Sequence, residues 1–181
     1  MTLDQLILSL REHTHAFPED GDATAKVIVW IEKYRELAFT RENLEGHITG
    51  SLFIVNENHT KVLLMFHHKL QKWLQFGGHA DGEIDVLSVA IREFQEESGI
   101  QEEPRIIGEI CDIDIHTIPA RHSEPEHLHF DILFLASISE SVSMQKEVGK
   151  VEDLKWVDIS DIEDYSTEEK VLRVIQKLRN L

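Results

Sequence analysis

GGHADGEIDVLSVAIREFQEESGI, running from Gly77 to Ile100, is the stretch on which the reading of this chain turns. Its paired glycines mark a turn, and the helix that follows sets Glu93, Glu96 and Glu97 beside Arg92. Positions three and four apart are neighbours on a helix, so the three carboxylates share one patch. Carboxylates that close repel one another and raise each other's pKa unless a cation sits among them. Clustered oxygen ligands with no cysteine or histidine between them suit a hard divalent ion, Mg²⁺ or Mn²⁺. Gly77 and Gly78 allow backbone conformations closed to other residues, so a carbonyl there can face a metal.

The rest of the helix has a consistent pattern. Leu87, Ala90, Ile91 and Phe94 recur at i, i+3, i+4 and i+7, the spacing of a buried stripe. At 100° per residue the three glutamates centre roughly 120° from that stripe, at the edge of the core. Gly99 reads as a left-handed cap, after which Ile100 returns to the interior. Taken alone, REFQEES reads as a solvated acidic face. The glycine spacing, the cap and the apolar stripe weigh for a site.

With these residues in place, the chain resembles the Nudix hydrolases, whose signature is G-x5-E-x7-R-E-U-x-E-E-x-G-U with U bulky and apolar. Gly78, Arg92, Glu93, Phe94, Glu96, Glu97, Gly99 and Ile100 stand at the required spacing. Phe94 is aromatic where an aliphatic residue is usual. Ile84 replaces the first glutamate, which in the family supports the arginine, and Asp85 is the expected substitute because it lies two turns before Arg92 on the same side. The resemblance implies that Glu93, Glu96 and Glu97, with the Gly78 carbonyl, hold Mg²⁺ or Mn²⁺, and that Arg92 orients the carboxylates. It implies hydrolysis of a diphosphate linked to another moiety. The base is expected from the helix (Glu96 or Glu97) or from a later loop holding Glu147 and Glu152, with Glu147 preferred.

Composition agrees with a single soluble enzyme domain. A chain of 181 residues is long enough to bury a proper core. Its net charge of −16 argues against nucleic acid and anionic membranes, and makes an anionic substrate dependent on a metal. The lone Cys111 excludes an internal disulfide and fits a reducing, cytoplasmic setting. MTLDQLILSL has no basic n-region and too short an apolar run for a signal peptide or a span.

Along the chain, Leu3, Leu6, Ile7 and Leu10 predict a helix ending before Pro18. A second runs from an Asp22 N-cap through Val27, Ile28, Ile31 and Tyr34. After the glycine-marked GHITG, the segments SLFIV and KVLLMF read as two strands. Further strands are expected at Arg105–Ile107, Cys111–Ile118, His127–Ser137 and Leu154–Asp158. Ser166 and Glu169 read as a capping box for a last helix carrying Val171, Leu172, Ile175 and Leu178. Strands interleaved with helices predict an α+β protein with a mixed sheet covered on both faces. The resemblance makes it an α/β/α sandwich, with residues 1–44 a helical extension packed on a domain of residues 45–181. Domains of this kind often pair, so a homodimer is an open expectation.

Two strands carry alternating polar residues: Asp112, Asp114 and His116, then His127, His129 and Asp131. Period-two geometry puts each set on one face. They read as rows meeting near a substrate cleft or, equally, as a solvated sheet face. A histidine-built transition-metal site is a further reading, without the tight ligand spacing that would single it out. The loop TIPARHSEPE reads as a specificity element whose Arg121 touches a substrate phosphate. Trp73 and Phe76 are aromatic candidates for stacking on a base, one of them being expected in the core. Arg121, Phe76 and His116 are thus the candidate substrate-binding residues. His67, His68 and Lys69 read as an ordinary strand-end loop or as a second approach to substrate. Alternatives in other classes are a nucleotide sensor that kept the scaffold without turnover, which Ile84 favours, and a purely structural acidic helix.

Overall fold

The computed structural model describes residues 1–121 and 124–179. Two helices, α1 (Leu3–Ala16) and α2 (Gly21–Tyr34), precede β1 (Gly46–Val55), β2 (Lys61–His67), β3 (Lys72–Leu74) and β4 (Phe76–His79). Helix α3 (Val86–Ser98) follows, then β5 (Arg105–Ile118), β6 (His127–Ser137), β7 (Val151–Asp158) and the helices α4 (Ile162–Tyr165) and α5 (Glu169–Leu178).

All the strands join one mixed sheet in the order β3-β2-β1-β6-β5, with β4 also on β1 and β7 on β2. Strand β1 is buried along its whole length and runs parallel to β6 from Gly46↔Leu128 to Val55↔Ser137. Its side chains alternate between two cores. Ile48, Leu52 and Ile54 pack with α1, α2 and α3; Phe53 and Val55 pack with Leu133, Leu135 and the α5 residues Val171, Val174 and Ile175. The expected α/β/α sandwich of class α+β is the architecture found.

Several elements differ from the sequence expectation. GHITG is the first half of β1, because β4 and β6 pair with it on either side. Arg105–Ile118 is one strand interrupted by bulges between Ile106 and Asp112. Helix α2 starts at Gly21, since the Asp20 carboxylate is taken up by His13 Nε2 at 2.7 Å and by Lys177 instead of capping. Ser166 makes no capping box; its hydroxyl donates to the Trp73 carbonyl at 3.0 Å.

The glycines position the site. Gly50 of β1 lies opposite Gly78 of β4, and α3 crosses above them. A Cβ on Gly50 would stand 2.7 Å from the Val86 carbonyl, and one on Gly78 would stand 2.4 Å from the Glu93 carboxyl carbon. Only hydrogen in both places lets the helix come this close. No helix among the described residues is long and apolar enough to cross a membrane.

Candidate metal and phosphate site

Helix α3 begins at Asp85, whose carboxylate accepts from the Ser88 amide at 3.3 Å, and ends at Gly99, left-handed at φ 68°. Its buried face is Val86, Val89, Ala90, Glu93, Phe94, Glu97 and Ser98. That face is turned from the expected stripe, leaving Leu87 and Ile91 only partly buried. The glycine floor explains the rotation, because room without side chains admits the stems of Glu93 and Glu97. Glu97 is completely buried, Glu93 nearly so, and Glu96 is exposed.

Buried carboxylates need partners, and a lysine supplies one. Lys150 Nζ lies 3.0 Å from Glu93 Oε2, 3.0 Å from Glu97 Oε1 and 4.0 Å from Glu147 Oε2. Glu97 Oε2 accepts the Gly77 amide at 3.1 Å. Arg92 donates from one nitrogen to Glu93 Oε1 at 3.1 Å and to the His79 carbonyl at 3.2 Å, with Glu96 4.0 Å away. The loop carrying Lys150 is fastened to the end of α3: the Gln145 amide donates to Ser98 O at 2.8 Å and the Glu147 amide to Glu97 O at 3.2 Å. Burial pushes the Glu97 carboxyl up to about 7, against the opposing pull of Lys150 and the Gly77 amide. Burial alone would lower the Lys150 ammonium, but Glu97 and Glu93 overcome it and hold its pKa above the ordinary lysine value.

The structure therefore brings together Arg92, Glu93, Glu97, Glu147 and Gly78, with Glu96 at the rim. Other expected placements need correcting. Asp85 does not reach Arg92, because capping and the N-terminal ammonium 3.4 Å away engage its carboxylate. Ile84 packs on the core. Glu152 is occupied with His68 at 2.6 Å and Gln71 at 2.9 Å, outside the carboxylate patch. Phe76 is fully buried, edge-on to Phe94 with ring centroids 5.1 Å apart, and has no free face for a base. Lys150 was missed. Its only sequence signal is a lysine three residues after Glu147, which tertiary contact alone makes meaningful.

Across the sheet lies a cleft of about 610 Å³ lined by Lys72, Asp114, His116, Arg121 and Lys170 among others. The two polar rows do meet: Asp114 pairs with Asp131 and His116 with His129. Asp131 is buried and accepts from Thr49 at 2.8 Å, from Ser51 at 2.9 Å and from Lys170 at 3.3 Å. His116 Nδ1 is held at 2.8 Å by Asp114.

A family model described as the NUDIX domain matches residues 46–178. The chain belongs to the Nudix family. It is 26% identical over 140 residues to a probable DHNTP pyrophosphohydrolase of Lactococcus lactis, covering 76% of this chain and 80% of that protein. The dihydroneopterin triphosphate pyrophosphohydrolase of E. coli superposes with a TM-score of 0.61 at 15% identity, over 74% of this chain and 96% of that one. A C. elegans Ap4A hydrolase in a binary complex superposes at 0.59 with 20% identity, over 74% and 95%. At such identities these two structures establish the shared Nudix fold. The Nudix match starts at the first residue of β1, leaving α1 and α2 outside it.

Proposed function

We propose that the protein is a cytoplasmic, divalent-metal-dependent hydrolase that cleaves the phosphoanhydride of a nucleoside diphosphate linked to another moiety, or a related compound. The observation that carries this is the convergence of Glu93 and Glu97 on a single cation, the Lys150 ammonium, at 3.0 Å from each. The donor set is all oxygen, and Glu97 Oε1 is buried without a well-aligned hydrogen bond among the described residues. Such a set fits Mg²⁺ or Mn²⁺. Glu93, Glu96, Glu97 and the Gly78 carbonyl are the groups that would hold it. When bound, the ion supplies charge neutralisation for the phosphate and acidifies water.

The chain's own groups do the remaining work. Arg92 fixes the Glu93 carboxylate and, through the His79 carbonyl, β4, the strand in which Gly77 and Gly78 lie in place of the expected turn. On the helix, Glu97 or Glu96 is a candidate to take a proton from water with an oxygen that the ion does not engage. Glu147 is the second candidate base, tied beside Glu97 through its backbone. A dication and the Lys150 ammonium on the same two oxygens repel each other, so loading metal there favours withdrawal of Lys150. Arg121 lines the cleft beside Lys72, Lys170, Asp114, Glu168 and Glu169 and is the candidate group for the remaining phosphates, with His116 as a polar ring.

The same lysine favours a second reading, a nucleotide-binding regulator without turnover, because Lys150 already neutralises the carboxylates a metal needs. One assay separates the two. Dihydroneopterin triphosphate, Ap4A, ADP-ribose, sugar nucleotides and nucleoside triphosphates are incubated with Mg²⁺ or Mn²⁺, then with chelator. Phosphate or pyrophosphate release that chelator abolishes supports the hydrolase; binding without release supports the regulator.

A further inference from the structure

On the face of the sheet opposite α3, five histidines crowd together. His47 of β1 is in register with His129 of β6, which is in register with His116 of β5. His127 lies two residues before His129, and His79 of β4 pairs with Thr49, two residues beyond His47. Strand periodicity therefore turns all five to one side. The His47 ring lies 4.9 Å from those of His127 and His129 and 5.0 Å from that of His79.

This packing leaves a polar deficit. His47 is only 4% exposed, and among the described residues neither of its ring nitrogens has a hydrogen-bond partner, nor has His129 Nε2. The Asn43 carbonyl lies close enough to the His47 ring to favour its charged form without closing a well-aligned bond. A buried polar group left unmatched is costly and calls for a ligand. Neutral imidazoles with free lone pairs are metal ligands.

We propose that His47, His127 and His129 form a second metal site, selective for a borderline transition dication such as Zn²⁺ and separate from the carboxylates of α3. One nitrogen from each of the three lies within 4.8 Å of the others. Tetrahedral zinc–imidazole bonds of about 2.0–2.1 Å place nitrogens roughly 3.3 Å apart, so the nitrogens close by no more than about 1.5 Å. His127 is already oriented: its Nδ1–H donates to the Pro125 carbonyl at 2.9 Å, leaving Nε2 as the lone pair. An outer carbonyl of this kind commonly fixes the tautomer of a ligating histidine. Three imidazoles leave a fourth position open, and beside them is a small pocket of about 80 Å³ also lined by Arg41, Asn43, His79 and Glu124. Nitrogen ligands discriminate against Mg²⁺ and Mn²⁺, so the two sites take different ions.

The test is Zn²⁺ uptake by the metal-stripped full chain, measured by competition with a chromophoric chelator. The ¹⁵N resonances of the histidine rings are followed in parallel, which needs no substitution. Uptake of about one ion is expected, with shifts confined to His47, His127, His129 and their ring neighbours. Affinity should fall at least about 100-fold in His127→Ala and stay unchanged in Glu97→Gln. Absence of uptake, or uptake lost in Glu97→Gln and kept in His127→Ala, overturns the proposal. So does uptake that leaves the ring resonances of His47 and His129 unmoved.

Discussion

Lys150 Nζ and Glu97 Oε1 stand 3.0 Å apart, joining a half-buried ammonium to a carboxylate with no solvent exposure at all. The pair places a monovalent cation where the family resemblance implies a divalent one. Lys150 sits at the end of a loop whose backbone is fastened to the last turn of α3. Its withdrawal therefore need not disturb the helix.

Replacing Lys150 by Met removes the only basic side chain within ion-pair distance of Glu97 among the described residues. Without metal, the stranded carboxylates should cost roughly 2–3 kcal/mol, lowered by Lys150's partial exposure from the 3–5 typical of a broken buried pair. Mg²⁺ should then bind more tightly than in the parent, about tenfold, and restore the melting temperature. Calorimetric titration and thermal melts with and without chelator check this; unchanged Mg²⁺ affinity would show that Lys150 does not compete.

Glu97→Gln keeps the shape and removes the charge. Metal-dependent turnover should fall by a factor of about 10³, or roughly 4 kcal/mol of barrier. Near-normal kcat in this variant would remove Glu97 from the proposed chemistry.

Glu97 also leaves a signature in stability. Its folded pKa, about 7, lies above the ordinary carboxyl value of 4.5, so between those pH values the folded state binds more proton than the unfolded. Stability from this group is therefore present below pH 4.5 and lost as pH rises to about 7, by roughly 3 kcal/mol. His47 acts oppositely: its pKa is depressed from 6.5 to about 4, so its contribution is lost as pH falls through that interval. Subtracting the Glu97→Gln profile from the parent's, in chelator, isolates the first effect. A flat difference across pH 4.5–7 contradicts it.

Gly50→Ala and Gly78→Ala probe the floor beneath α3. Alanine at 50 meets the Val86 backbone at 2.7 Å, which cannot swing aside, and should cost about 2–3 kcal/mol in denaturant unfolding. Alanine at 78 meets the Glu93 carboxyl, a movable side chain. It should cost less stability, about 1 kcal/mol, and more metal affinity. Equal effects on both readouts would contradict this division.

Arg121→Ala should raise KM for the true substrate about tenfold with little change in kcat, if its cleft position reflects phosphate binding. An unchanged KM would remove Arg121 from the proposed phosphate contact.

The extent of α3 was legible because its cues are local: Gly99 forms a left-handed cap, and the signature spacing is read without knowledge of packing. The rotation of the helix was not. It depends on Gly50 meeting Gly78 across two strands that are distant in sequence. Asp85 misled for a related reason, since a helix-start aspartate has a nearer use in capping than in reaching two turns onward. Phe76 and Phe94 belong to different elements and find each other only in the core. His47 was invisible as a partner of His129 because their register arises from a parallel pairing 82 positions apart. The limits of β6, His127–Ser137, could be read directly, since its polar alternation gives way to a run of buried residues.

Strand β5 is the outer edge of its side of the sheet, and its fringe is laced by ion pairs. Lys177 of α5 reaches both Asp112 and Asp20, while His13 of α1 holds Asp20 and the Ile110 carbonyl. The earliest and latest helices are thereby sutured to each other around that rim. An exposed rim of this kind is ordinarily the place where sheets recruit foreign strands. Here the suture is finished only once α5, made well after β5, has emerged from the ribosome, so a nascent chain lacking α5 would carry that margin unguarded, and stalled or clipped molecules would be the aggregating ones.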